Sequence, residues 1–229
     1  VGADEALQLG LVNRVAPAAR TEDAALELAA EVAAHPPEAV ARVAPAVISV
    51  HRSASSGDVI GSGVIIDPSG LAIASLRTTG TDGKLTAVLS TGETVKASIV
   101  RVDESAQLVL IKLDSDPPAV ATLASRQPLS GERVLSIGTP LGDFTSTVTV
   151  GVVGAIGITM PANGNQQAIP GVIQHDAATN PGSEGGPLID LNGDVIAIEI
   201  GSVPTTAEGI VQGWSFAVPA TQLGPLIGD

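Results

Sequence analysis

The residues of this chain that could do nucleophilic chemistry are concentrated between positions 175 and 184. His175 and Asp176 shortly precede Ser183, which is followed by Glu184. A serine becomes a nucleophile when a base takes its proton and a third group orients that base. Adjacent His175 and Asp176 cannot both take those positions around one serine without remodelling, so catalysis through Ser183 is the minor alternative. His175, Asp176 and Asn180 are candidate residues of a cleft.

The composition indicates a folded domain with an aliphatic core. Of the 229 residues, 44% are hydrophobic and 15% are charged, and the aromatic residues are Phe144, Trp214 and Phe216. The 11 basic and 24 acidic residues give a formal net charge of −13, and no Lys or Arg cluster offsets it locally. A phosphate backbone would be repelled, so we expect no nucleic-acid partner.

The sequence also lacks the patterns typical of a metal or cofactor site, a membrane span or a signal peptide. Cysteine does not occur, which excludes disulfides, thiol catalysis and zinc–thiolate sites. The three histidines, His35, His51 and His175, are not spaced as a pair on one helical face, so we expect neither a metal nor another cofactor. No apolar run reaches the roughly 18 residues of a membrane span, and no signal-peptide pattern opens the chain.

Residues 1–40 have the pattern of helices. In the segment RTEDAALELAAEVAAHPPEAV, Thr21 is a candidate N-cap, and Leu28 and Val32 recur at helical spacing. Pro36 and Pro37 are expected to end that helix, because the residue before a proline avoids the helical conformation.

From Val43 onward, short runs rich in Val and Ile alternate with turn residues, which is typical of antiparallel β-structure. Turns are predicted at residues 67–70 (DPSG), 90–92 (STG) and 192–193 (NG). The roughly dozen strands lack the βαβ alternation of a parallel sheet. The pattern therefore favours a β-barrel or a pair of barrels.

Residues 41–222 resemble the protease domain of the HtrA/Deg family of trypsin-like serine proteases. The resemblance rests on seven segments in the family's order: VARVAPAVISV, GSGVIIDPSGLAIA, VLIKLD, VLSIGTPLG, TVTVGVVGAIG, VIQHDAATNPGSEGGPLIDLNGDVIAI and GWSFAVPA. It implies a mostly β fold of two six-stranded barrels within residues 41–229, barrel one over about 41–120 and barrel two over about 121–222, with the active site between them. No PDZ domain is expected after them.

The resemblance also assigns the three positions of the catalytic triad. Arg77 falls where the general base is expected, Gln107 where the acid is expected, and Glu184 where the nucleophilic serine is expected. A guanidinium stays protonated near neutral pH, so it cannot accept the proton of a serine. Gln107 is neutral, and the carboxylate of Glu184 would repel a developing oxyanion. The chain is thus expected to be a pseudoenzyme with no intact catalytic residue.

The loop that forms the oxyanion hole in active relatives retains its backbone signature. Gly182, Ser183 and Glu184 are the remnant of that hole, and Gly185 and Gly186 follow them. We predict that Arg77 and Glu184 form a charge-assisted pair within hydrogen-bond distance, with Gln107 at the edge of the guanidinium or the carboxylate. The alternative is two independent substitutions that leave both charges solvated.

Residues 1–40 resemble the carboxy-terminal segment of an enoyl-CoA hydratase (crotonase) domain, on the pattern VGADEALQLGLVNRV. In that family the segment packs and forms trimer contacts, and the CoA-binding parts lie upstream, so hydratase activity is not implied. The alternative is an Ala- and Leu-rich helix that imitates the pattern.

The leading hypothesis is an HtrA-like pseudoprotease retained for peptide or protein binding, or for assembly. The alternatives are a serine endopeptidase that uses Ser183 and an acyl-CoA-related accessory module. A homotrimer is one candidate assembly, because both resembled families form trimers. The HtrA resemblance implies an extracytoplasmic protein and the crotonase-like flank a cytoplasmic one, so the compartment is left open.

Overall fold

In the computed structural model of this chain, the described residues are 21, 36–54, 57–81, 84–139, 146–162, 168–203, 205–206, 209–210 and 213–228. Except for Thr21, the helices predicted for residues 1–35 lie outside them, as does most of the crotonase-like segment. The division of the chain at residue 40 stays a prediction. Residues 37–229 form one unit, to which both barrels below belong.

A helix begins at the two prolines. Helix α1 spans Pro36–Val43 and is followed by a 3₁₀ turn over Ala44–Ala46. The prediction that Pro36 and Pro37 end a helix is incomplete, because a helix also begins at them. Proline fits the first turn of a helix, where its missing N–H would have no partner and its fixed φ is helical.

Barrel one is a closed sheet of six antiparallel strands in the order β1-β2-β3-β6-β5-β4. Its strands are β1 Val47–Ala54, β2 Gly57–Ile65, β3 Leu71–Ser75, β4 Lys84–Val88, β5 Thr94–Asp103 and β6 Leu108–Leu113. A single-turn helix, α2 Leu76–Thr79, follows β3.

Barrel two is a closed sheet in the order β10-β11-β14-β9-β8-β7. Its strands are β7 Arg133–Gly138, β8 Thr147–Met160, β9 Ile169–His175, β10 Pro187–Ile189, β11 Val195–Ser202 and β14 Ser215–Pro219. A separate ribbon pairs β12 Thr205–Thr206 with β13 Gly209–Ile210, and the described chain ends in a 3₁₀ turn, Ala220–Gln222, and α3 Gly224–Ile227. The predicted two-barrel, mostly β fold is confirmed.

The turns joining these strands follow the predicted chemistry. Gly70, Gly92 and Gly193 have φ of 90°, 86° and 82°, a left-handed conformation that glycine adopts without steric cost. They close the turns between β2 and β3, β4 and β5, and β10 and β11, so all three predicted hairpin turns are confirmed. The core is aliphatic as expected, and Phe216 is its one aromatic side chain among the described residues.

An ion network fixes the turn that follows β10. Asp190 accepts hydrogen bonds from the backbone N–H groups of Asn192 (2.9 Å) and Asp194 (3.0 Å) and from Arg126 (2.7 Å), which also binds Glu132. Burial raises the pKa of Asp190, but these hydrogen bonds outweigh it and leave the pKa below its ordinary value. Hydrogen bonding with Arg126 likewise lowers the pKa of Glu132. Both carboxylates are therefore held in the charged form.

Candidate active site

Helix α2 sets the direction of Arg77. The hydroxyl of Ser75 accepts from the backbone N–H of Arg77 at 3.2 Å and so caps the helix. Thr78 and Thr79 face the interior, whereas 63% of the Arg77 side chain is exposed. The backbone of this turn is therefore fixed while the guanidinium reaches into solvent.

Gln107 supports α2 through its backbone and not through its side chain. It has a left-handed φ of 55° in the turn before β6, and its carbonyl accepts from the N–H of Leu76 at 2.9 Å. Its side-chain Nε2 donates to the carbonyl of Glu104 at 2.7 Å. The predicted contact of Gln107 with the guanidinium or the carboxylate is wrong, because the amide completes its own turn.

The loop that carries Glu184 is shaped by glycines in close contact with other backbone. Gly182 and Gly185 have φ of 94° and 89°. A Cβ atom on Gly185 would lie 2.2 Å from the carbonyl oxygen of Ser62, and one on Gly186 would lie 2.3 Å from that of Ile137. Side chains are therefore excluded at both positions, whatever the chemistry of the site.

Ser62, a residue that the sequence analysis did not select, binds this loop from barrel one. Its N–H donates to the carbonyl of Glu184 at 3.0 Å, and its hydroxyl donates to the carbonyl of Gly182 at 2.6 Å. The same hydroxyl accepts from the N–H of Thr139 at 2.8 Å. The available signal was a serine between Gly61 and Gly63, directly before the apolar run VII.

The Glu184 carboxylate lies between a backbone donor and Arg77. Its Oε2 accepts from the N–H of Gly182 at 2.9 Å, and its Oε1 lies 3.5 Å from Nη1 of Arg77. The predicted Arg77–Glu184 pair is confirmed, although its distance is at the long limit of a hydrogen bond. The side chain of Glu184 is 14% exposed. The stronger partner of this carboxylate is thus its own loop.

The other candidates do not assemble around Ser183 among the described residues. The Ser183 side chain is buried, and its Oγ accepts from the N–H of Asn180 at 3.4 Å. Asp176 is exposed and accepts from the N–H of Val152 at 2.6 Å. His175 is fully buried inside barrel two, so its assignment to the cleft is wrong. Alternation along β9 directs its side chain into the core.

His175 pairs instead with Glu199, a second residue that sequence reasoning missed. Nε2 of His175 lies 3.1 Å from Oε2 of Glu199, and both side chains have 0% exposure. Nδ1 of His175 and Oε1 of Glu199 have no hydrogen-bond partner among the described residues. The signal was an acidic residue in an otherwise apolar strand, IAIEI. A buried acid in such a strand requires a hydrogen-bonding partner from elsewhere in the fold.

The backbone of Glu199 connects this buried pair to the loop. The carbonyl of Glu199 accepts from the N–H of Gly185 at 2.8 Å, and its N–H donates to the carbonyl of Gly186 at 2.9 Å. The loop is therefore held by Ser62 on one side and by Glu199 on the other.

No group of three or more His, Cys, Asp or Glu side chains among the described residues has a geometry that could hold a metal ion. No helix in the described part of the chain is long and apolar enough to cross a membrane.

A profile of the trypsin-like peptidase domain matches residues 61–198, more than half of the chain. The chain belongs to the trypsin-like peptidase family. The Do-like serine protease HtrA of Lactococcus lactis subsp. cremoris is 36% identical over 177 residues, 73% of this chain and 44% of that protein. A probable periplasmic DegP-like serine endoprotease of Pseudomonas fluorescens is 35% identical over 161 residues, 70% of this chain and 32% of that protein.

Solved structures identify the domain as HtrA-type. The serine endoprotease of Yersinia pestis has a TM-score of 0.70 and 27% identity, over 83% of this chain and 64% of that one. The HtrA-type protease AlgW with tripeptide has a TM-score of 0.69 and 31% identity, over 80% and 59% of the two chains. This chain spans less than half the length of the two curated relatives it matches above.

Proposed function

We propose that this HtrA-type domain is catalytically inactive and is retained to bind peptides or proteins. The observation that carries the proposal is the position of the Glu184 carboxylate, which accepts from the Gly182 N–H at 2.9 Å. In the HtrA/Deg family this loop supplies the N–H donors that stabilise the oxyanion of the reaction. A fixed anion on such a donor competes with the substrate carbonyl for it.

The residues at the other two triad positions support the same proposal. Acyl transfer requires a base that is unprotonated near neutral pH, and Arg77 does not meet this requirement. The third group of a triad orients and stabilises an imidazole, whereas the amide of Gln107 bonds to Glu104. Neither position provides a proton relay.

Peptide binding is supported by the retained scaffold. The loop keeps its glycine geometry and its bonds to Ser62 and Glu199, although the residue at the nucleophile position is an acid. The structures of AlgW contain a tripeptide or a decapeptide. For this chain we propose that an extended peptide binds along a strand edge.

A serine endopeptidase that uses Ser183 is the second candidate, since the matched relatives carry the names of serine proteases. It would require the buried Ser183 hydroxyl to leave the Asn180 N–H and meet a base. The acyl-CoA-related module depends on residues outside the described ones and stays a prediction. An extracytoplasmic location is proposed from the periplasmic relative, and a homotrimer stays a candidate assembly.

The deciding experiment compares the wild type with the triple variant Arg77→His/Gln107→Asp/Glu184→Ser. Both are treated with a fluorophosphonate that labels activated serines and are assayed for casein hydrolysis, after circular dichroism has established equal folding. We expect no labelling of the wild type and labelling of the triple variant. Labelling of the wild type that disappears in Ser183→Ala would establish the second candidate instead.

A further inference from the structure

We propose that Glu184 is the recognition site for a cationic group of the bound peptide, a Lys or Arg side chain or an amino terminus, and that Arg77 occupies this site until the ligand replaces it. The inference rests on the proposed binding function and names the class of ligand. Three observations support it: the carboxylate of Glu184 is fixed, the guanidinium of Arg77 is loosely held, and the chain as a whole is strongly acidic.

The carboxylate of Glu184 is held by contacts other than the one to Arg77. Oε2 is bound to the Gly182 N–H at 2.9 Å, and the backbone carbonyl of Glu184 is bound to the N–H of Ser62 at 3.0 Å. The oxygen directed at Arg77 is the other one, Oε1. A carboxylate oxygen accepts more than one hydrogen bond, so Oε1 can accept one from an incoming ammonium or guanidinium.

The guanidinium of Arg77 is held much less firmly. Its Nη1 lies 3.5 Å from Oε1, and 63% of its side chain is exposed. An ion pair of this kind contributes little, because water already screens the charges. Only the side chain has to turn into solvent, since Ser75 and Gln107 fix the backbone of α2. Exchange of one cation for another also leaves the charge of Glu184 balanced.

The charge of the chain favours the same class of ligand. The net charge of −13 attracts cations to the surface and repels anions. An anionic ligand could not use the Gly182 N–H, because Glu184 already accepts from it. The carboxylate of Glu184 would also repel such a ligand. A neutral ligand would have to break the Arg77 pair without restoring its charge balance.

The test uses three blocked pentapeptides, acetyl-Ala-Val-X-Val-Ala-amide with Lys, Gln or Glu at X, titrated by calorimetry at low salt. We expect the Lys peptide to bind about fivefold tighter than the Gln peptide, and the Glu peptide to bind weakest. Arg77→Ala removes the competing cation and should strengthen binding of the Lys peptide about two- to fivefold. Glu184→Gln, which preserves the shape of the side chain, should abolish the preference for Lys.

Arg133→Ala is the matched control, because it removes one exposed positive charge from barrel two. It should change the affinity for the Lys peptide less than Arg77→Ala does. Weaker binding of the Lys peptide by Arg77→Ala, or a Lys preference that survives Glu184→Gln, would overturn the inference. Equal binding of all three peptides would overturn the inference and leave the proposed peptide binding intact. Binding of none of the three peptides would contradict both the inference and the proposed peptide binding.

Discussion

Glu184 and Glu199 belong to two acid–base pairs, one within the glycine loop and one on a strand that binds the loop. Glu184 is 14% exposed and lies 3.5 Å from a guanidinium that is mostly in solvent, whereas Glu199 and His175 are fully buried and 3.1 Å apart. Water can replace a lost partner at the first pair but has no access to the second. The exposed pair is therefore suited to exchange with a ligand, and the buried pair to maintaining the structure.

The largest expected effect comes from breaking the buried pair. His175→Ala leaves the Glu199 side chain buried without its partner, and we expect the free energy of unfolding to fall by about 3–5 kcal/mol. Urea denaturation followed by circular dichroism measures it. The double variant His175→Leu/Glu199→Leu removes both polar groups and should lose less than the single variant. An equal or larger loss in the double variant would mean that packing, and not pairing, sets the cost.

A smaller effect is expected at Gly185, which follows Glu184 in the chain and donates its N–H to the carbonyl of Glu199. Gly185→Ala places a Cβ 2.2 Å from the carbonyl oxygen of Ser62 at a φ of 89°, so we expect a loss of about 2–4 kcal/mol. Gly92→Ala is the matched control, because Gly92 has a φ of 86° and no atom within 4 Å of the added Cβ. If the two variants unfold at the same urea concentration, the close approach to Ser62 does not add to the loss of stability.

The Arg126 network is intermediate between the two pairs, since the Arg126 side chain is 46% exposed and that of Asp190 only 3%. Arg126→Ala should reduce the free energy of unfolding by about 1–2 kcal/mol at pH 7, after allowance for solvent screening. Chemical denaturation at that pH measures it. If the free energy of unfolding changes by less than the error of the method, the Arg126 network contributes as little to stability as the exposed Arg77 pair.

The stability contributed by the Arg126 network is expected to depend on pH. The pKa values of Asp190 and Glu132 are lowered in the folded state, so their stabilisation is present above their unfolded values of about 4 and is lost as the pH falls through the folded values. Between pH 5 and pH 2, Arg126→Ala should therefore lose less stability than the wild type. Parallel pH profiles of the two proteins would contradict this assignment.

The smallest effect is expected at the exposed pair. Arg77→Ala should change the free energy of unfolding by less than about 0.5 kcal/mol, and 0.5 M salt should remove most of that change. Urea denaturation with and without salt measures it. A loss comparable to that of His175→Ala would mean that Arg77 is a structural residue and would remove the contrast between the two pairs.

Much of the fold could be predicted because it depends on local rules. Alternating apolar residues and the glycines of the turns specify strands and hairpins within a few residues of chain. The order of the matched segments then predicted two barrels. Helix α1 was missed since proline can either end a helix or begin one, and the sequence does not show which.

The site could be predicted only in part. The charges at positions 77 and 184 predicted a pair, because opposite charges attract wherever the fold brings them together. The side chain of Gln107 was assigned wrongly, since its amide found an acceptor in its own turn, at Glu104. His175 was assigned to the cleft because its residue type suggested catalysis, whereas the direction of its side chain depends on its place in β9.

The sequence by itself determined the chemical types available: an aliphatic core, a strongly acidic chain, a glycine-rich loop around position 184, and neither a histidine nor a serine at the triad positions implied by the resemblance. The tertiary structure alone decided which groups meet. Ser62 reaches Gly182 across 120 positions of the chain, and His175 meets Glu199 because β9 and β11 both pair with β14. Such contacts depend on the register of distant strands, and no local pattern specifies that register.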